Sequence, residues 1–223
     1  MVQIVVINSI NRYSGKSLVA AHLAVMLAKD YKVAVMDEFS KSDLSDFVAK
    51  RHALNLSKDL NLAIPIYQTL NKENFSKIDE YDVVILDSPS DKYFAYADIF
   101  ITPLRGQEGL NSLVVRNSLY AGLIWEAKKQ RAAQGKSAFK WVVLPNDDAL
   151  LQEDCEKLKE TGRFLGFSVA PKLSNRKEFD LGFKHGISVL DKDSPKLKTL
   201  FDLPDLYARR DLKKIADFIW QNK

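Results

Sequence analysis

The sequence predicts a three-layer α/β fold, a mostly parallel central sheet flanked by helices, and three observations carry that prediction. Short, uninterrupted apolar runs rich in Val and Ile recur along the chain, as expected of parallel strands covered on both faces. Longer segments with helical spacing of apolar residues lie between them, so strands and helices alternate. Several of these runs end in polar clusters containing Asp, Asn or Ser, and right-handed crossovers bring such ends to one edge of the sheet. Ligands of open α/β sheets bind outside that edge.

Taken in order, residues 2–7 (VQIVVI) form the first strand and lead into the polar loop NSINRYSGKS. Residues 17–29 (SLVAAHLAVMLAK) follow as a helix, with Leu18, Ala21 and Val25 along a face and neither Gly nor Pro to interrupt it. Residues 32–36 (KVAVM) are a second strand ending in Asp37, and residues 82–86 (DVVIL) a third ending in Asp87. Residues 98–104 (DIFITPL) and 140–144 (KWVVL) are further strands, the last followed by Pro145-Asn146. The chain closes on residues 209–220 (RRDLKKIADFIW), where Leu212, Ile215, Ala216 and Ile219 share a helical face and therefore dock on the core. No repeat, low-complexity tract or linker divides the sequence, so residues 1–223 are expected to be a single domain.

Composition narrows the function classes. The 223 residues are 46% hydrophobic, which supplies a core and excludes disorder as the main state. No apolar run approaches the length of a membrane span, and the N-terminus has no basic segment ahead of a hydrophobic one, so no membrane partner and no signal peptide are expected. The single cysteine, Cys155, excludes a disulfide framework and a multi-cysteine metal site and fits a cytoplasmic setting. Its acidic neighbours do not stabilise a thiolate, so it is expected to be inert. His22, mid-helix among Ala and Leu, reads as a core or partly exposed residue, and His52 and His185 have no partners at zinc-ligand spacing. The formal net charge of +4 is too small to imply a polyanionic partner as a bulk property. A basic cluster of Lys128, Lys129, Arg131, Lys136 and Lys140 has the character of a solvated helix face.

The strongest local signal is strand, loop, Gly15-Lys16-Ser17, helix. In a P-loop the backbone N–H groups and a helix N-terminus cradle phosphate, Lys neutralises it and the Ser or Thr hydroxyl holds Mg²⁺. The usual first glycine of that motif is absent, because position 10 is Ile. Asp87, after four apolar residues, has the Walker-B pattern whose carboxylate orients Mg²⁺ or its water shell. The alternative is that Asp87 caps the turn that Ser88-Pro89 begins. Together the two motifs predict a P-loop NTPase fold.

These motifs resemble those of the deviant Walker-A ATPases of the ParA/MinD family, which carry K-G-G-x-G-K-[ST], then D-x-D after the second strand, then hhhhD-[ST]-P. The chain is similar over its whole length to the MipZ group of that family. The segment SLYAGLIWEAKKQRAAQGKSAFKWVVLPN, residues 118–146, carries the likeness most specifically, and residues 166–191 add to it. The resemblance implies a nucleotide-switch ATPase of division-site positioning or chromosome partitioning, with ATP or ADP and Mg²⁺ as cofactors. It implies an ATP-dependent homodimer, ParB-like and FtsZ-like partners, and non-specific DNA binding with nucleoid association.

Carried over by position, nucleotide binding falls to Arg12, Ser14, Gly15, Lys16, Ser17 and Asn146, and metal binding to Ser17, Asp37 and Asp87. Asn146 either reads adenine, as the resemblance implies, or is a turn residue after Pro145. Arg163, Lys172, Arg176, Lys177 and Lys184 match a DNA-binding surface, although a charged face interspersed with Glu178 and Asp180 equally suits simple solvation. Two departures bear on catalysis. The family's signature Lys, which reaches across a dimer to the partner's phosphates, aligns with Asn11, and the water-orienting second Asp of D-x-D aligns with Phe39. Arg12 is the replacement cation that the alignment offers, and Glu38 is expected on the wrong side of the strand to replace the Asp. The expectation is nucleotide binding with weak or absent hydrolysis, and no catalytic residue is assigned. The alternative is a non-hydrolysing scaffold that keeps the fold and partner surfaces without an ATP cycle.

Overall fold

A computed structural model describes residues 2–9, 11–39, 41–58, 60–88, 90–114, 118–146, 150–174, 177–193 and 206–220. Seven strands form one sheet: β1 (Gln3–Ile7), β2 (Val33–Asp37), β3 (Ile66–Thr69), β4 (Val83–Asp87), β5 (Ile99–Leu104), β6 (Lys140–Pro145) and β7 (Ser168–Val169). Their order is β3-β2-β4-β1-β5-β6-β7, and every described pair is parallel. The five strands legible as apolar runs are the five inner ones. The two edge strands escape pattern reading because β3 is four residues of mixed polarity after Pro65 and β7 is only two residues long.

Side chains alternate across the sheet and build a core on each face. Val5, Ile7, Val35, Ile85, Ile101 and Val142 point to one face, where α1 (Lys16–Leu27), α2 (Asp43–Lys58), α7 (Lys177–Lys184) and α8 (Leu206–Trp220) cover them. Val6, Met36, Leu86, Phe100, Trp141 and Val143 point to the other, under α4 (Gly106–Val114), α5 (Leu119–Ala133) and α6 (Gln152–Leu165). A short helix α3 (Lys72–Phe75) follows β3. Leu212, Ile215, Ala216 and Ile219 of α8 are buried, as their spacing predicts. Helix α1 is buried almost all round rather than along one stripe, because α2, α7 and α8 close over the side that the sheet leaves free.

The basic cluster after Trp125 is not simply a solvated face. Arg131 is buried, with Nη2 2.6 Å from Asp98 Oδ1 and Nε donating to Ser137 O at 2.5 Å. Lys140 donates to Phe218 O and Ile219 O, both at 2.8 Å, which satisfies carbonyls at the end of α8. Of the five, Lys129 and Lys136 are exposed. Among the described residues no helix is long and apolar enough to cross a membrane.

Candidate nucleotide-binding site

Central β1 lies between β4 and β5, so the loop that leaves its C-terminal end faces the ends of both neighbours. In register, Ile7 pairs with Asp87, and Asp87 with Asp37. Residues eighty and fifty apart in sequence thereby meet at one edge. Ser17 Oγ donates to Asp87 Oδ2 at 2.5 Å, so the two residues that the motifs assign to the metal are in direct contact.

The loop between β1 and α1 has a left-handed backbone at two positions. Gly15 has φ 88° and Tyr13 has φ 59°, a conformation that costs a non-glycine residue about 1–2 kcal/mol. Gly15 also has no room for a side chain, since a Cβ there would lie 2.2 Å from Asn146 Nδ2. Asn146 in turn donates Nδ2 to Ser14 O at 2.8 Å. It is therefore more than a turn residue, because it braces the loop from the end of β6. Ser14 is buried and its Oγ has no hydrogen-bond partner. An orphaned hydroxyl, a positive-φ glycine and loop N–H groups at a helix start are what a phosphate group would satisfy.

The charges are balanced against one another but not paired. Lys16 is about half-buried and, among the described residues, donates Nζ to Asn11 O alone, at 3.3 Å. Burial pulls its pKa down, and the carboxylate of Asp87 opposes that shift. Asp87 is pushed up to about 6, first by burial and further by Asp37 and Asp43, against the Ser17 hydrogen bond and the Lys16 charge. A bound cation would relieve this. Among the described residues no cluster of three His, Cys, Asp or Glu side chains is arranged to hold a metal. Mg²⁺ takes one or two protein oxygens and completes its octahedron with phosphate and water, a demand that Ser17 and Asp87 could meet.

Asp37 is buried next to Asp87 but is already engaged. It accepts hydrogen bonds from Phe39 N at 2.9 Å, Tyr67 OH at 3.0 Å and Ser42 Oγ. The single Tyr67 hydroxyl proton is shared with Phe39 O, 2.6 Å from the oxygen, so the segment that carries Phe39 is pinned while Phe39 itself is 61% exposed. Glu38 turns toward β4, where Ser88 Oγ donates to its Oε1 at 3.1 Å and Lys92 lies 3.3 Å away. Arg12 is exposed and forms no described hydrogen bond or ion pair. Pro89 and Arg176 lie outside the described residues.

Sequence reasoning missed the polar support below the loop. Trp141 Nε1 donates to Thr102 Oγ1 at 3.0 Å, Thr102 Oγ1 lies 3.1 Å from Tyr120 OH, and Tyr120 OH donates to Asn8 O at 2.9 Å. Asn8 Nδ2 donates to Ser88 O at 2.5 Å, which ties the ends of β1 and β4 together. The available signal was the segment 118–146, which contains both Tyr120 and Trp141. Arg105 was also missed; with Gly15, Leu18, Asn146, Phe179 and Asp180 it lines a cavity of about 50 Å³ beside the loop. A larger cavity, about 500 Å³, lies at the opposite end of β1 and β4 against α8 and contains no motif residue, so size does not mark the site.

The basic residues matched to a DNA surface are spread out. Arg163 is exposed on the last turn of α6, Lys177 is exposed on α7, Lys172 lines a cavity with Cys155 and Lys159, and Lys184 lines another with Asp43 and Asp46. Cys155 is half-buried.

Comparison with known proteins agrees with this fold. The profile of the family described as ATPase MipZ matches residues 3–88 and 79–219. No curated protein sequence matches. Among solved structures, MinD of Pyrococcus horikoshii in complex with Mg-ADP is 14% identical with a TM-score of 0.64, covering 99% of this chain and 97% of that one. The MinC:MinD complex of Aquifex aeolicus is 14% identical with a TM-score of 0.60, covering 99% and 97%. A Cyanothece McdA–ATP complex is 17% identical with a TM-score of 0.59, covering 95% and 96%. At these identities the structural likeness establishes the fold.

Proposed function

Because the chain belongs to the MipZ ATPase family, we propose that it is a nucleotide-dependent positioning ATPase whose switch rests on binding more than on turnover. The observation that carries this reading is the contact of Ser17 Oγ with Asp87 at 2.5 Å beside a loop whose backbone is left-handed at Tyr13 and Gly15. Gly15, Ser14 and the N-terminus of α1 would receive the phosphates, Lys16 would neutralise them, and Ser17 with Asp87 would hold Mg²⁺. Bound Mg-nucleotide supplies the counter-charge for Lys16 and Asp87. Asn146 would set the distance of a base from the loop it braces, and Asp37 would act on the metal's water shell only after yielding one of its present donors. Arg12, exposed beside the loop, would meet phosphate from the solvent side.

Weak or absent hydrolysis follows from Phe39. A phenyl ring cannot accept a hydrogen bond from the attacking water, and Glu38 is held by Ser88 and Lys92. The resemblance extends this reading to a nucleotide-dependent homodimer and to ParB-like and FtsZ-like partners in division-site positioning or chromosome partitioning, in the cytoplasm or at the nucleoid. Non-specific DNA binding through Arg163, Lys172, Arg176, Lys177 and Lys184 would be salt-dependent.

Calorimetric titration with Mg-ATP and Mg-ADP tests the reading. Wild type should saturate with either nucleotide, and Lys16→Ala should weaken both by about 10- to 100-fold, the value of a hydrogen bond between charged groups. Absence of any saturable binding to wild type would favour the non-hydrolysing scaffold instead.

A further inference from the structure

Arg105 leaves the end of β5 immediately before Gly106, whose φ of 63° turns the chain into α4. That turn carries its guanidinium to the phosphate loop, where Nη1 lies 3.4 Å from Tyr13 O. A bond of that length to a neutral carbonyl is weak, and it occupies one of five donors. Among the described residues Arg105 forms no ion pair, although it shares a cavity with Asp180. It is exposed, so its charge is held at the loop without a matching carboxylate.

The loop needs such a charge. Lys16 is half-buried and turned to Asn11 O, Asn11 is neutral, and Arg12 faces solvent. The left-handed turn at Tyr13 makes its carbonyl available to Arg105, so the strained residue is also the one that docks this side chain. Approach is from the β5 side of β1, whereas Asp87 approaches from the β4 side. The guanidinium therefore lies beside Gly15 and Asn146, away from the metal ligands.

We propose that Arg105 is a phosphate-binding cation of this site, supplied within one chain, which forks the phosphates nearest the nucleoside and restores the charge that Asn11 does not provide. The proposal rests on the nucleotide-binding reading above. A planar guanidinium suits a bidentate contact with phosphate oxygens, which an ammonium cannot reproduce. Because Arg105 stands on the side away from the metal, it should act on ADP and ATP alike.

The test is calorimetric affinity for Mg-ATP, Mg-ADP and adenosine in wild type, Arg105→Lys and Arg105→Gln, each at two salt concentrations. Arg105→Gln should weaken ATP and ADP by the same factor, about 10- to 100-fold, flatten the salt dependence of ADP binding, and leave adenosine affinity and the melting temperature unchanged. Arg105→Lys should recover part of the loss. Affinities in Arg105→Gln within twofold of wild type, or a loss confined to ATP, would overturn the proposal while leaving the nucleotide-binding reading intact. Wild type that binds no nucleotide would remove both.

Discussion

Two buried charged clusters stand on the same face of the sheet and are built to opposite rules. In the first, Arg51 of α2 is fully buried and bonded through all three nitrogens. Nη1 and Nη2 fork the Asp191 carboxylate at 2.6 and 2.8 Å, Nε donates to Ala63 O at 2.6 Å, and Nη1 also reaches Gly186 O at 3.1 Å. Asp191 further accepts from Ser188 N at 2.7 Å, and Ser188 Oγ meets His22 Nδ1 at 3.0 Å. Burial drives the pKa of His22 down to about 4, so the imidazole is neutral and adds no competing charge. In the second cluster, among the described residues, Asp87 has one hydroxyl, Lys16 has one distant carbonyl, and Ser14 Oγ has no partner. Apart from His22 Nε2, which is buried without a partner among the described residues, the first network is bonded and locks helices onto one another; the second, sparsely bonded around its charges, retains capacity for a ligand.

The largest effect should come from breaking the first cluster. Arg51→Ala leaves Asp191 buried without its partner, and loss of one member of a buried pair costs about 3–5 kcal/mol. Chemical denaturation should show that loss, with nucleotide affinity of the remaining folded protein little changed. Equal loss of affinity and stability would mean that the clusters are one unit.

Asp87→Asn should do the reverse. The Asp87 carboxyl titrates near 6 in the folded chain against an ordinary aspartate near 4, so the folded state binds more protons between those values. The group therefore costs nothing below about pH 4, and its penalty grows as pH rises to about 6 and is complete above it. Removing it should raise stability at pH 7 by on the order of 2–3 kcal/mol, leave stability near pH 4 unchanged, and abolish the magnesium dependence of nucleotide binding. Denaturation series at pH 4 and pH 7 check the sign.

The smallest effect should be at Tyr13. Tyr13→Gly relieves the left-handed backbone but adds entropy to the unfolded chain, so a gain of less than about 1 kcal/mol is expected. If Tyr13 also docks Arg105 through its carbonyl alone, nucleotide affinity should persist in this variant, as titration would show.

Much of the fold was legible before any coordinates. The inner strands, α1 and α8 follow from apolar runs and helical spacing, and Gly15-Lys16-Ser17 with Asp87 marks the edge of the sheet that matters. Edge strands β3 and β7 were not legible, since strands of four and two residues carry no pattern. The role of Lys128, Arg131 and Lys140 was not legible either, because a basic run has the same composition whether it faces water or buries its stems against Phe139, Asp98 and α8.

Local order in this chain is a property of short windows, and the sequence determined it: where the inner strands stop and where a helix starts after Gly15. Tertiary structure alone decided which distant groups share a space. It set Asp87 against Ser17, turned Glu38 to Ser88, closed Asn146 over Gly15 and brought Arg105 to Tyr13. Strand order and register govern those meetings, and both arise from packing between segments far apart in the chain, where no local pattern records them.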